Sequence, residues 1–203
     1  MGRYRKIPGP DVHKSSTCRI VFAEDLTNNR LVALKIMKHR HQFKAEIDAR
    51  YNNGSPLSSS FVISLLGWHC PAGDPISDAG GQAPWEEATE TSEEGGEATY
   101  VLVMPQGERS LHDACAKERI AGIDADAVMA IVLQLAECLA YLHLMGIVHM
   151  DIKQRNIIRL EDGRFILCDM VIRECYLVSI GLASSDLAHF DFTAVFLFWL
   201  IVR

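Results

Sequence analysis

The chain has 203 residues, and 49% of them are hydrophobic, which is enough to bury the core of one domain or of two small lobes. A formal net charge of -6 argues against a general nucleic-acid or anionic-membrane binder, because both need a surplus of lysine and arginine. Residues 8–10 read Pro-Gly-Pro where a signal peptide needs an apolar stretch, and the six cysteines form no C-x-x-C pair. We therefore expect an intracellular protein with reduced thiols.

The first part of the chain predicts a small antiparallel sheet with one helix. Residues 19–23 and 31–37 are β-rich, and the turn-forming stretch 25–29 joins them as a hairpin. Residues 41–51 place Phe43 and Ile47 on one face of a short helix, which the stretch 52–54 ends. The apolar runs 61–66 and 100–104 predict further buried strands.

An acidic segment separates those two apolar runs. Residues 71–99 contain eight acidic residues and no basic one, so the rest of the chain sums to +2. This composition is typical of a solvated, disordered insertion, and a metal site or a docking peptide is the alternative.

The second part of the chain predicts a long helix followed by strands. Asp124 is a good N-cap, and Gly146 supplies a C-terminal stop. Between them, apolar residues recur at helical spacing: Val128, Ile131, Val132, Leu135, Leu139 and Leu142. Residues 147–149 then begin a loop, and residues 164–168 predict a strand after an Asp-Gly turn.

A lysine ends one of the predicted strands, and an acid follows on the next helix. Lys35 closes the run 32–35 (VALK), and Glu46 is a candidate for a buried partner that orients Lys35 toward the phosphates of a nucleotide. Asp48 is the competing acid. The alternative is that these charges are solvated at the surface.

Residues 149–156 (HMDIKQRN) bring three chemically useful groups into one loop. Phosphoryl transfer needs a carboxylate beside the hydroxyl nucleophile, a cation near the transferred phosphate and an amide oxygen for a metal. Asp151, Lys153 and Asn156 are of these three types, and Asp169 follows the next predicted strand.

These motifs resemble those of the eukaryotic-type protein kinase family, in the family's order. Residues 32–35 resemble V-A-I-K, residues 149–156 resemble H-R-D-L-K-x-x-N, and Asp169 falls where the D-F-G aspartate belongs. The resemblance covers residues 10–170. Lys153, two residues after Asp151, is similar to the serine/threonine kinases rather than the tyrosine kinases.

The resemblance implies roles for the matching residues of the loop. Asp151 would be the catalytic base, and Lys153 would contact the transferring phosphate. Asn156 and Asp169 would hold Mg²⁺.

It also implies a binding site for ATP. Residues 104–107 resemble the hinge that receives adenine, with Met104 in the gatekeeper position, and Lys35 would contact the phosphates with Glu46 as its helix partner. The residues implied to bind the nucleotide are Lys35, Glu46, Met104, Gln106, Ile20 and Ala33.

The chain departs from the family at its phosphate-binding loop. Residues 13–20 occupy that position and contain no glycine, whereas the family uses glycines so that backbone amides approach the phosphates. We expect weaker ATP affinity, which the small residues Ser15, Ser16 and Thr17 partly offset.

Two further departures affect regulation. Met150 replaces the arginine that in many family members clamps a phosphorylated activation loop, so control by that route is not expected. Met170 can fill the slot of the family's aromatic residue, but Val171 replaces the flexible glycine.

After Val171 the resemblance fades. No Ala-Pro-Glu motif follows, and we expect a C-lobe from which a large part is missing. Residues 185–190 faintly resemble the start of the family's central C-lobe helix. The apolar run 194–202 is too short to span a bilayer, which takes about 20 helical residues. It is interpreted as a buried terminal helix, as a tail from aberrant splicing or gene prediction, or as an interfacial anchor.

We therefore expect an α+β, two-lobed, protein-kinase-like fold over residues 10–203. Its N-lobe of about residues 10–104 is a small antiparallel sheet with the insertion 71–99, its partial C-lobe of about residues 108–203 is mainly helical, and the nucleotide binds between them. The expected function is ATP- and Mg²⁺-dependent phosphorylation of protein serine or threonine hydroxyls, without a nucleic-acid or membrane partner. The alternatives are a pseudokinase or kinase fragment that acts as a regulatory binding module, and a small-molecule kinase of related fold.

Overall fold

The computed structural model describes residues 3–71, 100–118, 120 and 124–170, and the backbone of residues 172–174. Almost all of the acidic insertion, together with Val171 and the stretches 185–190 and 194–202, lies outside the described residues. The chain divides into two compact units. The first comprises Met1–Asp48 and Ser64–Gln106, and the second comprises Ala49–Ile63 and Gly107–Arg203.

The elements follow one another along the chain as a run of strands, two helices and further short strands. The helices are α1 (Arg40–Asp48), α2 (Leu111–Glu118) and α3 (Ala125–Leu144), and a 3-10 turn spans Gln154–Asn156. The strands are β1 (Tyr4–Lys6), β2 (His13–Lys14), β3 (Cys18–Asp25), β4 (Arg30–Met37), β5 (Tyr51–Asn52), β6 (Ser55–Pro56), β7 (Gly67–His69), β8 (Tyr100–Pro105), β9 (Arg109–Ser110), β10 (Ile147–His149), β11 (Ile157–Arg159), β12 (Phe165–Leu167) and β13 (Ile172–Glu174).

The first unit is built on a six-stranded antiparallel sheet. Its order is β1-β3-β4-β8-β7, with β2 paired to β3, and the predicted hairpin of β3 and β4 lies at its centre. Because successive residues of a strand point to opposite faces, the sheet has two different surfaces. One is an aliphatic cluster of Val21, Ala23, Val32, Leu34, Ile36, Val101 and Val103. The other carries Ile20, Ala33, Lys35 and Met104.

Helix α1 begins near its predicted start but is shorter than predicted. Phe43 is fully buried, and its ring lies 5.0 Å from that of Tyr100 on β8. The prediction that this helix continues to residue 51 is wrong. Asn53 and Gly54 have φ angles of 50° and 77°, and this left-handed turn joins β5 and β6 into a short hairpin that replaces the last helical turn.

The predicted strand 61–66 is also wrong. Val62 and Ile63 are buried, but Val62 makes only an isolated bridge to Leu167 and no ladder continues. The strand in this region is β7, which pairs with β8. A continuous apolar run shows that a segment is buried, but its pattern does not distinguish a strand from a buried irregular segment.

The second unit is organised around α3, which begins and ends as predicted. The Oδ1 atom of Asp124 accepts a hydrogen bond of 2.9 Å from the amide of Ala127, and Gly146 follows the helix with φ 72°. The core of the unit consists of one face of α3 together with apolar residues from α2, the strands and the connecting segments, among them Leu57, Leu111, Ile157, Phe165, Leu167 and Met170.

The sequence reading missed helix α2. The hydroxyl of Ser110 accepts a hydrogen bond from the Asp113 amide at 3.2 Å and donates one to the Asp113 carboxylate at 2.8 Å. This is a helix cap, and the spacing of a serine and an acid three residues apart was its signal in the sequence.

By length and composition alone, α3 is the single helix within the described residues that could cross a membrane. Eight of its residues are buried in the core of the second unit, and a core helix passes the same test.

Candidate active site

Lys35 and Glu46 form a buried ion pair in the first unit. Lys35 on β4 is 6% exposed, Glu46 on α1 is 7% exposed, and the Lys35 ammonium donates to Oε1 of Glu46. The competing acid Asp48 pairs instead with Lys44, one helical turn away at the surface. The two charges are therefore not solvated surface groups, and the Lys35 ammonium is held in one position.

The face of the sheet that carries Lys35 also carries the apolar residues implied to bind a nucleotide. Ile20 lies opposite Lys35 in the register of β3 and β4, and Ala33 lies opposite Met104 in the register of β4 and β8. Phe22 lies opposite Ala33 on the same face. The sequence reading missed Phe22, although its position two residues after Ile20 on a predicted strand was a signal.

The turn between β2 and β3 satisfies its own backbone groups. The hydroxyl oxygen of Ser15 accepts hydrogen bonds from the amides of Cys18, at 3.1 Å, and Thr17, at 3.4 Å. The Ser15 amide in turn donates to the Cys18 carbonyl at 2.9 Å. The turn is thus closed without glycine, and a side-chain oxygen already occupies two of its amides.

Gln106 ends the first unit with an unsatisfied polar atom. Its Oε1 atom is buried and has no hydrogen-bond partner within the described part of the chain. Because a buried acceptor without a partner is costly, this atom is a good candidate to accept a hydrogen bond from a ligand.

In the second unit, the loop after β10 gathers Asp151, Lys153 and Asn156. The Asn156 amide group donates two hydrogen bonds of 2.9 Å, one to the Asp151 carboxylate and one to the Asp151 carbonyl. The Lys153 ammonium donates to the same carboxylate. Asn156 is buried, whereas the side chains of Asp151 and Lys153 are exposed. The Asp151 carboxylate is therefore held by a buried side chain and is still accessible to solvent.

His149 ties this loop to the strand that precedes Asp169. Its Nδ1 atom accepts from the Asp151 amide at 3.2 Å, and its Nε2 atom donates to the Cys168 carbonyl at 3.1 Å. The amide of Cys168 donates to the Asn156 carbonyl at 2.9 Å and so closes a ring of hydrogen bonds. Burial lowers the pKa of His149 below its ordinary value of 6.5, in keeping with the neutral imidazole that these bonds require.

Asp169 follows Cys168 in a backbone conformation that few side chains adopt. Its φ angle is 56°, in the left-handed region, which aspartate tolerates better than most residues. Such conformations occur preferentially at functional sites. Because the Cys168 amide donates to the Asn156 carbonyl, the backbone of Asp169 lies near that of Asn156 in space.

The remaining residues of these motifs differ in exposure. Met170 is 2% exposed and belongs to the core of the second unit, where it occupies an apolar position as expected. Met150 is half exposed and makes no part of the hydrogen-bonded ring. The sequence shows His149 as part of a motif, but the ring of hydrogen bonds around it connects distant residues and could not be predicted without the structure.

The donor set suits a hard divalent cation. Asp151 accepts from the Asn156 amide nitrogen through two of its oxygens, which leaves the Oδ1 atom of Asn156 as an acceptor, and Asp169 carries a carboxylate. Carboxylate and amide oxygens are the ligands that Mg²⁺ prefers, and Mg²⁺ usually keeps several waters. Among the residues that the structure describes, no cluster of three or more His, Cys, Asp or Glu side chains forms a metal site.

The chain was compared with models of protein families and with curated proteins. The family model of the protein kinase domain matches residues 15–173, which is more than half of the chain. A comparison with curated proteins finds no match.

Proposed function

The chain belongs to the protein kinase domain family, and from this premise we propose that it transfers the γ-phosphoryl group of ATP, with Mg²⁺, to serine or threonine hydroxyls of proteins. The observation that carries the proposal is the loop in which Asn156 and Lys153 both bond to the Asp151 carboxylate. This loop brings together a carboxylate held by hydrogen bonds, an exposed cation and an amide oxygen.

Asp151 receives the proton of the attacking hydroxyl. The hydroxyl oxygen forms a bond to the γ-phosphorus while the bond from that phosphorus to the bridging oxygen breaks, and ADP carries away the electron pair. Because Asn156 holds the carboxylate in place, little reorganisation is needed when the substrate arrives. Lys153 stabilises negative charge on the transferred group.

The first unit supplies groups that suit the nucleotide. Lys35, oriented by Glu46, meets the phosphates, and the apolar face of Ile20, Ala33 and Met104 suits the adenine ring. The unsatisfied oxygen of Gln106 suits a donor such as the exocyclic amine of adenine. An apolar surface with a few placed polar groups is the usual composition of a small-molecule site.

Asn156 and Asp169 would hold Mg²⁺. When bound, the cation neutralises charge on the phosphate oxygens. The residues themselves contribute by geometry, because the ring of bonds through Cys168 keeps the backbone of Asp169 in register with Asn156.

A second candidate function is that of a pseudokinase or regulatory binding module. The observation in its favour is Ser15, whose hydroxyl occupies the amides of Thr17 and Cys18. Amides that are already bonded are not available to the phosphates of ATP, so the affinity for the nucleotide is lowered.

The experiment that tests the proposal is titration calorimetry of ATP against the purified chain, with and without Mg²⁺. Lys35→Met and Asp169→Asn serve as variants, and transfer of radiolabelled phosphate to serine, threonine and tyrosine peptides is measured in parallel. We expect Mg²⁺-dependent binding that both substitutions weaken at least tenfold, and transfer to serine or threonine. Binding without any transfer would favour the binding module, and a folded chain that binds no ATP would overturn the phosphotransferase.

A further inference from the structure

Three polar side chains form a cluster beside the loop of Asp151. They are His112, on helix α2, and Gln154 and Arg155, in the 3-10 turn of that loop. The Nδ1 atom of His112 lies 3.2 Å from Oε1 of Gln154, and its Nε2 atom lies 3.4 Å from Nη2 of Arg155. Strand β9 pairs with β11, so the start of α2 lies alongside the turn that precedes β11. The cluster therefore belongs to the same unit and the same loop as Asp151.

The hydrogen bonds of the cluster fix the role of each ring nitrogen of His112. Because the Oε1 atom of Gln154 can only accept, the Nδ1 atom of His112 donates to it. The Nε2 atom is then the acceptor for the Arg155 guanidinium, which can only donate. The guanidinium is thus held in position by a neutral ring, which does not compensate its charge.

Arg155 differs in this respect from the arginine four residues later. Arg159 pairs with the carboxylates of Glu108 and Glu118. Arg155 is exposed and bonds to no carboxylate within the described part of the chain. A guanidinium that is held in place without an acidic partner can bind a carboxylate from outside through two parallel hydrogen bonds.

The acids near the cluster are engaged by other groups. The Asp151 carboxylate accepts from Lys153, and the Asp113 carboxylate on α2 accepts from the Ser110 hydroxyl at 2.8 Å. Neither acid forms an ion pair with Arg155. The chain as a whole has a net charge of -6, so this surface is positive in a protein that is negative overall.

Arg155 lies within reach of a peptide whose hydroxyl meets Asp151. It immediately precedes Asn156, whose amide nitrogen lies 2.9 Å from the Asp151 carboxylate. Bond lengths along this path place the guanidinium within about 17 Å of that carboxylate. An extended peptide advances about 3.3 Å per residue, so the distance corresponds to at most about five residues.

We propose that Arg155 selects protein substrates that carry an acidic side chain within about five residues of the accepting serine or threonine. His112 is the positioning residue that holds the Arg155 guanidinium. The identity of the bound peptide as a substrate rests on the proposed phosphoryl transfer, whereas the binding of an acidic peptide rests on the cluster alone.

The first test measures peptide binding without any transfer of phosphate. Labelled peptides in which glutamates flank a central alanine are compared with matched lysine peptides by fluorescence anisotropy. The whole chain is used as wild type, as Arg155→Glu and as Arg30→Glu, a control that changes an exposed arginine on β4 and alters the net charge equally. We expect wild type and Arg30→Glu to bind the glutamate peptide about tenfold more tightly, and Arg155→Glu to prefer the lysine peptide.

A general effect of charge gives the opposite result in the wild type. A net charge of -6 attracts the lysine peptide, so a preference for glutamate requires a local site. Equal binding of the two peptides by the wild type, or a glutamate preference that survives Arg155→Glu, would overturn the proposal. An oligonucleotide of the same charge that binds as tightly as the glutamate peptide would identify a general anion surface, and this result would also exclude selection of a peptide.

Two further variants guard against misfolding, which circular dichroism monitors. Arg155→Lys keeps the charge but loses the planar fork, so we expect a smaller preference of the same sign. His112→Ala removes the acceptor that holds the guanidinium, and we expect the preference to fall about threefold. A preference that is lost in a folded Arg155→Lys would contradict recognition by charge, and one that is unchanged in His112→Ala would contradict the positioning role.

The last test separates this proposal from the proposed function. The central alanine of both peptides is replaced by serine, and transfer of radiolabelled phosphate is measured. We expect the glutamate peptide to have the lower KM with a similar kcat, and Arg155→Glu to reverse the order. Selective binding without any transfer would contradict the phosphotransferase and leave the acidic-peptide site in place. Transfer at equal KM to both peptides would support the phosphotransferase and contradict selection by Arg155.

Discussion

The hydroxyl of Ser15 competes with any phosphate for two backbone amides. Removing it in Ser15→Ala frees the amides of Thr17 and Cys18. Because a hydrogen bond contributes about 0.5–1.5 kcal/mol, we predict that ATP affinity rises by about three- to tenfold. Calorimetry with Mg²⁺ and ATP measures this, and Ser16→Ala is the matched control. An unchanged affinity in Ser15→Ala would show that the serine does not compete with the phosphates, and a lower affinity would show that it supports the phosphate loop instead.

The ion pair of Lys35 and Glu46 allows stability and function to be separated. Lys35→Met removes the ammonium that donates to the buried Glu46 carboxylate, so we predict a loss of about 3 kcal/mol in the free energy of unfolding. Adding Glu46→Leu removes that charge and should restore most of the stability, while ATP binding stays lost.

Urea unfolding and calorimetry on the two variants test this prediction. Lys44→Met is the control, since its pair with Asp48 is exposed and should contribute less than about 0.5 kcal/mol. ATP binding that returns with the double variant would exclude a direct role for Lys35.

We expect His149 to make the stability of the loop 149–156 dependent on pH. Burial lowers its pKa in the folded chain, while the unfolded chain keeps a value near 6.5. Below that pH the unfolded state binds the proton first, so this contribution to stability is complete above pH 6.5 and is lost as the pH falls below it. We predict that the loss of unfolding free energy between pH 7 and pH 5.5 is smaller in His149→Gln than in the wild type. Identical slopes in urea titrations would show that His149 is not the titrating group.

At the scale of elements, the turn of the central hairpin depends on Asp25. Its carboxylate accepts hydrogen bonds from the Arg3 guanidinium, the closest at 2.7 Å, and from the amide and hydroxyl of Thr27 at 3.0 and 2.7 Å. The guanidinium and these bonds lower the pKa of Asp25 to about 2, although burial opposes them.

A carboxylate with a lowered pKa stabilises the fold above its unfolded value and loses that effect as the pH falls toward the folded value. We therefore predict that about 2 kcal/mol of stability disappears between about pH 4 and pH 2, and that Asp25→Asn removes this dependence. Acid unfolding followed by circular dichroism measures it, with Glu24→Gln as the control. A variant that keeps the full acid dependence would assign the effect to another carboxylate.

At the scale of the whole molecule, the two units contribute different parts of the proposed reaction. Lys35 and the apolar sheet face belong to the first unit, whereas Asp151 and Asn156 belong to the second. We predict that Asp151→Asn lowers the turnover of phosphoryl transfer by about 10²–10⁴-fold while the calorimetric affinity for ATP stays within about threefold. If Asp151→Asn abolished ATP binding as well, the carboxylate would have a structural role rather than the role of a base.

The sequence by itself determined the family and the elements with strong local signals. The hairpin of β3 and β4 follows from two β-rich runs around a turn, and α3 follows from helical spacing between Asp124 and Gly146. The order of the motifs around Lys35, Asp151 and Asp169 identified a protein kinase domain, because each position requires one residue type for its chemistry. The roles of these residues in catalysis remain predictions.

Only the tertiary structure decided the features that depend on residues far apart in the chain. It chose Glu46 over Asp48 as the partner of Lys35, since burial of both charges depends on how α1 packs on the sheet. The structure also shows the ring of hydrogen bonds through His149, Cys168 and Asn156. These bonds connect residues far apart in the chain, so no local sequence pattern predicts them. The tertiary structure also left Met129, Leu133 and Leu144 of α3 exposed. Spacing shows that a helix is apolar, but only the packing of its neighbours determines which of its faces they cover.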